Sequence, residues 1–390
     1  VFDEKRYFSK GEKNLVFDIN GNKICIMICE DLWNIAHINN KQLCDLDFLI
    51  SINASPYENS KDLERINFFR KVAAENKFNL IYLNTVGGQD EIVFDGSSFL
   101  IDREGNIKHK CKAFKELIYK FSVHEKNFYE DCEYFYDKEY NQYEYLYEAL
   151  KIGTYDYIVK SNFDSVLLGL SGGIDSALTL AIASDIFKKE NIEAVLLPSI
   201  YTSDLSIQLA KEQCDILDIK YSIISIESIN EAISDSLDVR FNGLPNDITE
   251  ENIQARIRGL ILMSISNKTG KILLTTGNKS ELAVGYSTLY GDMAGSFAPL
   301  KDIYKTDVYN LSRYRNSLSR IIPEAVIDRM PTAELAQDQY DIDTLPQYDV
   351  LDNILKAFIE EKKSLEEICL MGNEINLVTN IINMVIRNEY

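Results

Sequence analysis

The sequence predicts an α/β protein made of two unlike domains. From about residue 144 onward, apolar segments of strand length alternate with segments of helical pattern, which is typical of βαβ units on a parallel sheet. Residues 1–122 mix strands and helices in a different order, and an acidic, tyrosine-rich stretch separates the two patterns. We interpret that stretch as a solvated connector. The expected domains are therefore residues 1–122 and 144–390, joined by a connector at 123–143.

Each predicted element depends on its apolar pattern. In the first domain, residues 61–77 have the periodicity of a helix, and the other apolar runs are short enough to be strands. Those strands are predicted within 13–29 (two strands around a turn at 20–22), 48–53, 79–84 and 97–102. In the second domain, helices at 144–160, 174–189 and 203–217 are predicted to alternate with strands at 163–170, 192–198 and 220–226, and a further strand to end at Thr276.

The composition excludes several classes of protein. Hydrophobic residues make up 46% and charged residues 26% of the 390 residues, which is the balance of a globular protein rather than a disordered chain. The 61 acidic residues outnumber the 41 basic ones, giving a net charge of −20. We therefore expect no general affinity for nucleic acid or an anionic membrane. The sequence has no run of about 18 apolar residues, so we predict no membrane-spanning segment.

The cysteine pattern favours a reducing compartment. The seven cysteines are scattered without a Cys-x-x-Cys pair, and the three histidines form no ligand cluster, which argues against a disulfide framework or a zinc site. We therefore expect a cytoplasmic protein. Residues 1–8 already resemble the interior of a domain, and residues 387–390 end on an uncapped helical pattern. We expect the first domain to continue at its N-terminus and the second at its C-terminus.

The motif Ser-Gly-Gly-Ile-Asp-Ser at residues 171–176 carries a strong functional signal. It joins a buried strand to a helix, so its glycines let the backbone approach a ligand and the free N–H groups of the helix start favour an anion. The lysine-containing phosphate loop G-x-x-x-x-G-K-[ST] is absent. Asp175 suits a bound phosphate if Mg²⁺ lies between them. The motif resembles that of the ATP pyrophosphatases, which implies cleavage of ATP at its α-phosphate.

A second strand-to-helix junction lies at residues 271–295. A strand ends at Thr276, and Glu281 falls in the first turn of the next helix, where a carboxylate can cap the helix or hold a metal. Ligands of open α/β sheets bind beyond the carboxyl ends of the strands. From this segment alone, a simple helix start and a ligand site both stay open.

Further segments make the second domain resemble the NAD synthetases. The motif at residues 250–259 stands upstream of this junction, and others lie at 201–203, 301–306, 333–335 and 341–349. The resemblance implies a doubly wound parallel sheet of the adenine nucleotide alpha hydrolase type. It also implies that the carboxylate of nicotinic acid adenine dinucleotide (deamido-NAD) attacks ATP. Ammonia then converts the adenylate to NAD, with AMP and pyrophosphate as the other products.

The same resemblance implies ligands for individual residues. Adenylation develops negative charge on the pyrophosphate leaving group, which Mg²⁺ and loop N–H groups stabilise, and Asp175 and Glu281 are the candidates for Mg²⁺. The candidates for ATP are Gly169, Leu170, Ser171, Gly172, Gly173, Ile174, Asp175, Ser176 and Thr276. The candidates for deamido-NAD are Asn252, Glu281, Tyr286, Ser287, Thr288 and Leu289.

Cys29 is the candidate nucleophile of the first domain. It ends an apolar strand and is followed by two acidic residues, a setting compatible with either a core cysteine or a nucleophile. The segments 1–8, 29–33, 53–57 and 84–96 resemble the nitrilase-type glutaminase domain that is fused to NAD synthetases.

That resemblance implies an α/β/β/α sandwich, of which residues 1–122 are a part. It implies that Cys29 attacks the side-chain amide of glutamine, forms a thioester and releases ammonia, while Ser55 and Lys61 hold the glutamine. The glutamate base and the lysine of the family precede residues 1–8 and lie outside this sequence.

The whole sequence thus resembles a glutamine-dependent NAD synthetase, a ligase that forms a C–N bond. ATP, deamido-NAD and glutamine or ammonia are the implied substrates, and Mg²⁺ is the implied cofactor. Three alternatives stay open: an ammonia-dependent NAD synthetase with an inactive glutaminase domain, another ATP-pyrophosphatase amidotransferase acting on GMP or aspartate, and a nucleotide-binding sensor. We expect a homo-oligomer.

Overall fold

The computed structural model describes residues 6–9, 11, 14–33, 45–59, 61–129, 141–337 and 339–389. The chain separates into two compact units, Val1–Gly153 and Thr154–Tyr390. Within the described part of the chain, no helix combines the length and the apolar character needed to cross a membrane. The domain limits at residues 122 and 144 stay a prediction, and much of the acidic connector lies outside the described residues.

The first unit is built on a mixed six-stranded sheet with two separate hairpins. Its strands are β1 (Leu15–Ile19), β2 (Asn22–Ile28), β3 (Phe48–Asn53), β4 (Asn79–Asn84), β5 (Val86–Gln89), β6 (Ile92–Asp95), β7 (Phe99–Ile101), β8 (Ile107–Lys110), β9 (Ser122–His124) and β10 (Asn127–Tyr129). The sheet order is β1-β2-β3-β4-β7-β8, and β2, β3 and β4 run parallel. The hairpins pair β5 with β6 and β9 with β10.

Two helices of the first unit position its candidate residues. The short helix α1 (Glu30–Trp33) follows Cys29 directly, and α2 (Lys61–Asn76) packs Ile66 and Phe69 onto the buried face of the sheet. Because β2, β3 and β4 are parallel, their carboxyl ends meet at one edge of the sheet. Cys29 and Ser55 follow two of these strand ends, so the topology brings them to the same edge.

The second unit is a doubly wound sheet of four parallel strands. These are β11 (Val166–Gly169), β12 (Ile192–Leu196), β13 (Lys220–Ile223) and β14 (Ile272–Leu274), in the order β13-β12-β11-β14. The first strand of the sheet therefore lies between the second and the fourth. Such a reversal of chain order creates a crevice at the carboxyl ends of the strands, which is where open α/β sheets bind ligands.

Helices cover both faces of this sheet. The helices from the end of the first unit onward are α3 (Gln142–Lys160), α4 (Ile174–Ile186), α5 (Asp204–Leu217), α6 (Glu227–Phe241), α7 (Ile248–Thr269), α8 (Lys279–Val284), α9 (Lys305–Leu318), α10 (Glu324–Asp328), α11 (Tyr348–Leu355), α12 (Leu365–Leu370) and α13 (Ile375–Arg387). Strand residues alternate between the two faces. Val166 and Leu168 pack with Leu180 of α4, whereas Leu167 packs with Leu262 of α7.

Each predicted helix or strand is present as the predicted type of element, and most differ from the prediction only at their ends. The strands predicted at 48–53 and 79–84 have the predicted bounds, and all four helices predicted over residues 61–217 are present. The helix predicted to reach residue 189 ends at Ile186, because Phe187 is extended. The short strands β5, β6, β8, β9 and β10 were not predicted.

Candidate active sites

The loop between β11 and α4 forms a preorganised anion site. Gly172 has a φ of +82°, and a Cβ at this position would lie 2.3 Å from the Ser206 carbonyl oxygen, so only glycine fits. The Gly173 N–H donates to Ser171 Oγ (3.2 Å), and Ser176 Oγ donates to the Gly173 carbonyl (3.0 Å). No side chain caps the start of α4, which leaves its first N–H groups available to a phosphate.

One buried lysine joins the two predicted Mg²⁺ carboxylates. Lys305 Nζ lies 2.5 Å from Asp175 Oδ2 and 2.8 Å from Glu281 Oε1, and its side chain is only 3% exposed. Asn278 completes the group, because its Nδ2 donates to Asp175 Oδ1 (2.8 Å) and its Oδ1 accepts the Glu281 N–H (3.0 Å). The starts of α4, α8 and α9 therefore meet at one charged cluster. The sequence analysis noted the segment 301–306 but assigned no role to Lys305.

The two carboxylates and one ammonium of this cluster leave a net negative charge when both carboxylates are ionised. Burial raises the pKa of Glu281 to about 7, with Asp175 adding to the shift and Lys305 opposing it. Burial opposes the positive charge of Lys305, but the two carboxylates outweigh it and raise its pKa. With both carboxylates ionised, one ammonium faces two negative charges. The cluster can therefore accept further positive charge.

The donors of the cluster fit Mg²⁺ when phosphate is also present. Mg²⁺ is usually held by one or two carboxylates together with phosphate oxygens and water. Asp175 and Glu281 supply two carboxylates beside an anion site. Among the described residues, no group of three or more His, Cys, Asp or Glu side chains could hold a metal without such help.

Two tyrosines and Asp341 extend the hydrogen-bond network. Tyr348 Oη donates to Asp341 Oδ2 (2.8 Å) and lies 3.4 Å from Glu281 Oε1, and Tyr286 Oη lies 3.4 Å from Asp341 Oδ1. The Lys305 ammonium lies 5.3 Å from the centre of the Tyr348 ring. Burial raises the pKa of Tyr348 and of Tyr286, so both act as hydrogen-bond donors at neutral pH. Asp341 and Tyr348 belong to a predicted motif, but neither was a predicted site residue.

A cavity of about 310 Å³ lies at the carboxyl ends of the strands in the second unit, where the chain order of the sheet reverses. Eight of the nine predicted ATP residues line it, as do Glu281, Tyr286 and Ser287 from the deamido-NAD set. Gly172 is the ATP candidate that does not line the cavity, because it packs against Ser206 instead. The structure thus brings most of the predicted ATP residues and half of the predicted deamido-NAD residues around one cavity.

The other deamido-NAD candidates form a separate group near the start of α7. Asn252 Oδ1 accepts a hydrogen bond from Thr288 Oγ1 (2.7 Å), and Arg256 Nε donates to the Leu289 carbonyl (3.3 Å). Asn252, Thr288 and Leu289 do not line the cavity, although Arg258 further along α7 does.

Residues 330–335 form a wall of the cavity to which the sequence analysis assigned no role. Glu334 has a φ of +49° and accepts hydrogen bonds from Ser203 Oγ (2.8 Å), Ser206 Oγ (2.7 Å) and Arg329 Nη2 (3.0 Å). A left-handed conformation is uncommon for a residue with a Cβ and persists where its surroundings fix it. Only the segment 333–335 was noted in the sequence, because the partners of Glu334 in α5 are about 130 residues away.

Cys29 of the first unit lies in a strained turn between β2 and α1. Its φ is +44°, and its N–H donates to the Ile52 carbonyl (3.1 Å). A sharp strand-to-helix turn presents a side chain at the top of a sheet, which is the geometry of a nucleophile elbow. Ser55 is buried, whereas Lys61 is partly exposed and pairs with Glu58 (3.3 Å).

The fold and the two sites define an α/β enzyme whose second unit has a nucleotide-type cavity and whose first unit carries a partly exposed thiol. The NAD synthase family model matches residues 146–390, and the carbon-nitrogen hydrolase family model matches residues 1–121. The chain is 46% identical to the glutamine-dependent NAD(+) synthetase of Acinetobacter baylyi, over all of this chain and 72% of the relative. The chain belongs to the glutamine-dependent NAD(+) synthetase family. The predicted family and fold class are confirmed.

Other relatives agree with this assignment. The glutamine-dependent NAD(+) synthetase of Aquifex aeolicus is 41% identical over all of this chain and 74% of the relative. The solved structure of the glutamine-dependent NAD+ synthetase from Acinetobacter baumannii in complex with adenosine diphosphate has a TM-score of 0.80 and 44% identity, over all of this chain and 72% of that chain.

Replacing Gly172 tests the anion site. In Gly172→Ala, the new Cβ meets the Ser206 carbonyl, so the loop must shift and we expect ATP affinity to fall by roughly 10- to 100-fold. Gly243→Ala is the matched control, because Gly243 has a φ of +81° but nothing within 4 Å of the new Cβ. Calorimetric titration with ATP compares the two. Equal losses of affinity would show that the contact with Ser206 is unimportant.

Replacing Lys305 tests the buried charge cluster. Lys305→Met leaves two carboxylates without their cation, and we expect the free energy of unfolding to fall by about 3–5 kcal/mol. Lys160→Met is the control, because the lysine of its ion pair with Asp156 is 59% exposed and i,i+4 pairs of this kind contribute about 0–1 kcal/mol. Denaturant unfolding monitored in the second unit measures both. A loss below about 1 kcal/mol in Lys305→Met contradicts the pairing.

Proposed function

We propose that the cavity of the second unit is where ATP adenylates deamido-NAD, and that Cys29 releases the ammonia for amidation from glutamine. The chain is a C–N bond-forming ligase of the glutamine-dependent NAD(+) synthetase family, with NAD, AMP, pyrophosphate and glutamate as the products we assign. The observation that carries the proposal is the Asp175–Lys305–Glu281 cluster at the start of α4. It puts carboxylates and a cation beside a phosphate loop.

In the first step, a carboxylate oxygen of deamido-NAD attacks the α-phosphorus of ATP. The bond from the α-phosphorus to the bridging oxygen breaks, and pyrophosphate leaves with the electron pair. The N–H groups in the first turn of α4 and the Lys305 ammonium oppose the negative charge that develops on the pyrophosphate. Because these donors are held in place before ATP binds, they need little reorganisation during the reaction.

Asp175 and Glu281 are the residues that would hold Mg²⁺. When bound, Mg²⁺ neutralises phosphate charge as a Lewis acid. The Asn278 side-chain amide orients the Asp175 carboxylate and holds the backbone N–H of Glu281 at the start of α8. Lys305 keeps the two carboxylates close to each other despite their mutual repulsion.

In the second step, ammonia attacks the carbonyl carbon of the adenylate, and AMP leaves. Water competes with ammonia for this carbon, so the cavity must exclude it. The burial of Lys305 and of the Tyr286–Asp341–Tyr348 network supports such a dry site. We assign deamido-NAD to the side of the cavity lined by α7, with Asn252, Thr288 and Leu289 at its outer end.

In the first unit, the Cys29 thiolate attacks the side-chain amide carbon of glutamine. The C–N bond breaks, ammonia leaves after taking up a proton, and water hydrolyses the thioester to glutamate. The strained turn at Cys29 and its partial exposure support a nucleophile rather than a core cysteine. Ser55 and Lys61 are the residues we assign to glutamine. The names of the curated relatives favour glutamine over an ammonia-only enzyme.

We further propose a cytoplasmic homo-oligomer. The five described cysteines are free thiols, which supports a reducing compartment. Cys44 and Cys132 lie outside the described residues. The homo-oligomer stays an expectation from the sequence.

Replacing Cys29 separates the two nitrogen sources. In full-length protein, we expect Cys29→Ala to lower glutamine-dependent NAD formation by on the order of 10³-fold or more and to leave ammonia-dependent formation intact. Cys25→Ala is the control, because Cys25 lies fully buried on β2, the strand that precedes Cys29. NAD formation is measured with each nitrogen donor. Equal losses with both donors would rule out separate sites.

Replacing Asp175 tests the adenylation step. An amide can accept a hydrogen bond from Asn278 or from Lys305, but its NH₂ group then faces the other donor. We expect Asp175→Asn to slow AMP formation by roughly 10²-fold or more with either nitrogen donor. Asp185→Asn is the control on the same helix, since Asp185 pairs with Arg315 away from the loop. AMP release at normal rates in Asp175→Asn would exclude Asp175 from the site.

A further inference from the structure

We propose that Asn84 and Asp95 are positioning residues of the glutamine site: they fix the backbone of Ser55 so that glutamine binds beside Cys29. This inference rests on the proposed glutaminase role of the first unit. It concerns residues that touch neither glutamine nor the reacting thiol in the proposal, and that act through Ser55.

The side chain of Asn84 holds both backbone groups of Ser55. The Ser55 N–H donates to Asn84 Oδ1 (2.9 Å), and Asn84 Nδ2 donates to the Ser55 carbonyl (3.2 Å). Two such bonds fix the direction of the peptide as well as its position. Asn84 is the last residue of β4. Its amide therefore ties the loop after β3 to the neighbouring strand.

Asp95 determines which way the Asn84 amide points. Asn84 Nδ2 also donates to Asp95 Oδ1 (2.9 Å), so its oxygen is turned toward the Ser55 N–H. Asp95 is held in turn by Arg65, whose Nη1 and Nη2 lie 3.3 and 2.5 Å from its two oxygens. Arg65 and Asp95 are each only 1% exposed. A buried, bidentate pair of this kind cannot swing into solvent.

The same charges also anchor the helix that carries Lys61. Arg65 Nη2 lies 3.1 Å from Asp62 Oδ1, and Lys110 Nζ lies 2.5 Å from Asp62 Oδ2. Two acids and two bases are therefore paired in the interior, which removes the cost of an isolated buried charge. Because Asp62 and Arg65 lie in the first turns of α2, the network fixes the start of α2 and the Ser55 loop relative to each other.

Comparison with Asn53 shows that burial alone does not explain why the Asn84 side chain bonds to the backbone of Ser55. Asn53 is the register partner of Asn84 at the end of β3, and both residues are 6% exposed. The Asn53 amide donates to the carbonyls of Ser51 and Leu83, within the sheet. It makes no side-chain contact with Ser55 among the hydrogen bonds of the described residues. Two equally buried asparagines thus differ in whether they hold the glutamine loop.

The test compares Asn84→Ala with Asn53→Ala in full-length protein, using NAD formation with glutamine or ammonia as nitrogen donor. For Asn84→Ala, we expect the KM for glutamine to rise by about 10- to 100-fold, with no change in the kcat or KM for ammonia. For Asn53→Ala, we expect the glutamine KM to stay within about threefold of wild type. A general loss of stability in the first unit would affect both variants, because each removes an equally buried asparagine from the end of a neighbouring strand.

A milder variant covers the case in which Asn84→Ala does not fold. The serine side chain in Asn84→Ser cannot bridge Ser55 and Asp95 at once. We therefore expect that protecting Cys29 from alkylation by iodoacetamide requires a glutamine concentration about 10-fold or more above that needed for wild type. The alkylation rate without glutamine should be unchanged. Wild-type protection in Asn84→Ser, or equal glutamine KM values in the two alanine variants, overturns the inference. If Cys29→Ala retained glutamine-dependent synthesis, the proposed glutaminase role would fail instead.

Discussion

Pairing of buried charge is the constraint on which both candidate sites depend. In the second unit, Lys305 joins carboxylates from α4 and α8 that would otherwise repel each other. In the first unit, Arg65 does the same for Asp62 and Asp95. An unpaired charge in either interior would cost several kcal/mol. The helices that carry these residues must therefore start where the charges can meet, and this requirement places the phosphate loop and the Ser55 loop.

The two networks differ in the balance of their positive and negative charges. The pairs around Arg65 are balanced, because Lys110 supplies a second positive charge. The cluster around Lys305 has two carboxylates for one ammonium, so it carries surplus negative charge when both carboxylates are ionised. A balanced network is suited to hold a loop in place. A network with surplus negative charge is suited to receive a cation that accompanies a phosphate.

Much of this could be predicted from the sequence, for local reasons. The residues of the motif at 171–176 are enough to predict an anion site. The helices and strands around it could be predicted from helical periodicity and from short apolar runs. The roles of Lys305, Glu334 and Asn84 could not be predicted, because each depends on a partner about 30 to 130 residues away. The hairpin of β5 and β6 was missed because its strands are short and β5 contains two glycines, which lower the propensity for a strand.

The positive φ angles also divide into those that the local sequence explains and those that depend on contacts with distant residues. Among the described residues, several with positive φ lie in turns beside polar or glycine residues, such as Asn20 and Asp90. Glu334 instead lines the cavity of the second unit, and Cys29 follows a strand of the first unit as its candidate nucleophile. Contacts from neighbouring elements hold each of them: the Ile52 carbonyl for Cys29, and Ser203, Ser206 and Arg329 for Glu334. Because local sequence does not favour these conformations, their persistence requires the surrounding contacts, and those contacts are the ones that fix the sites.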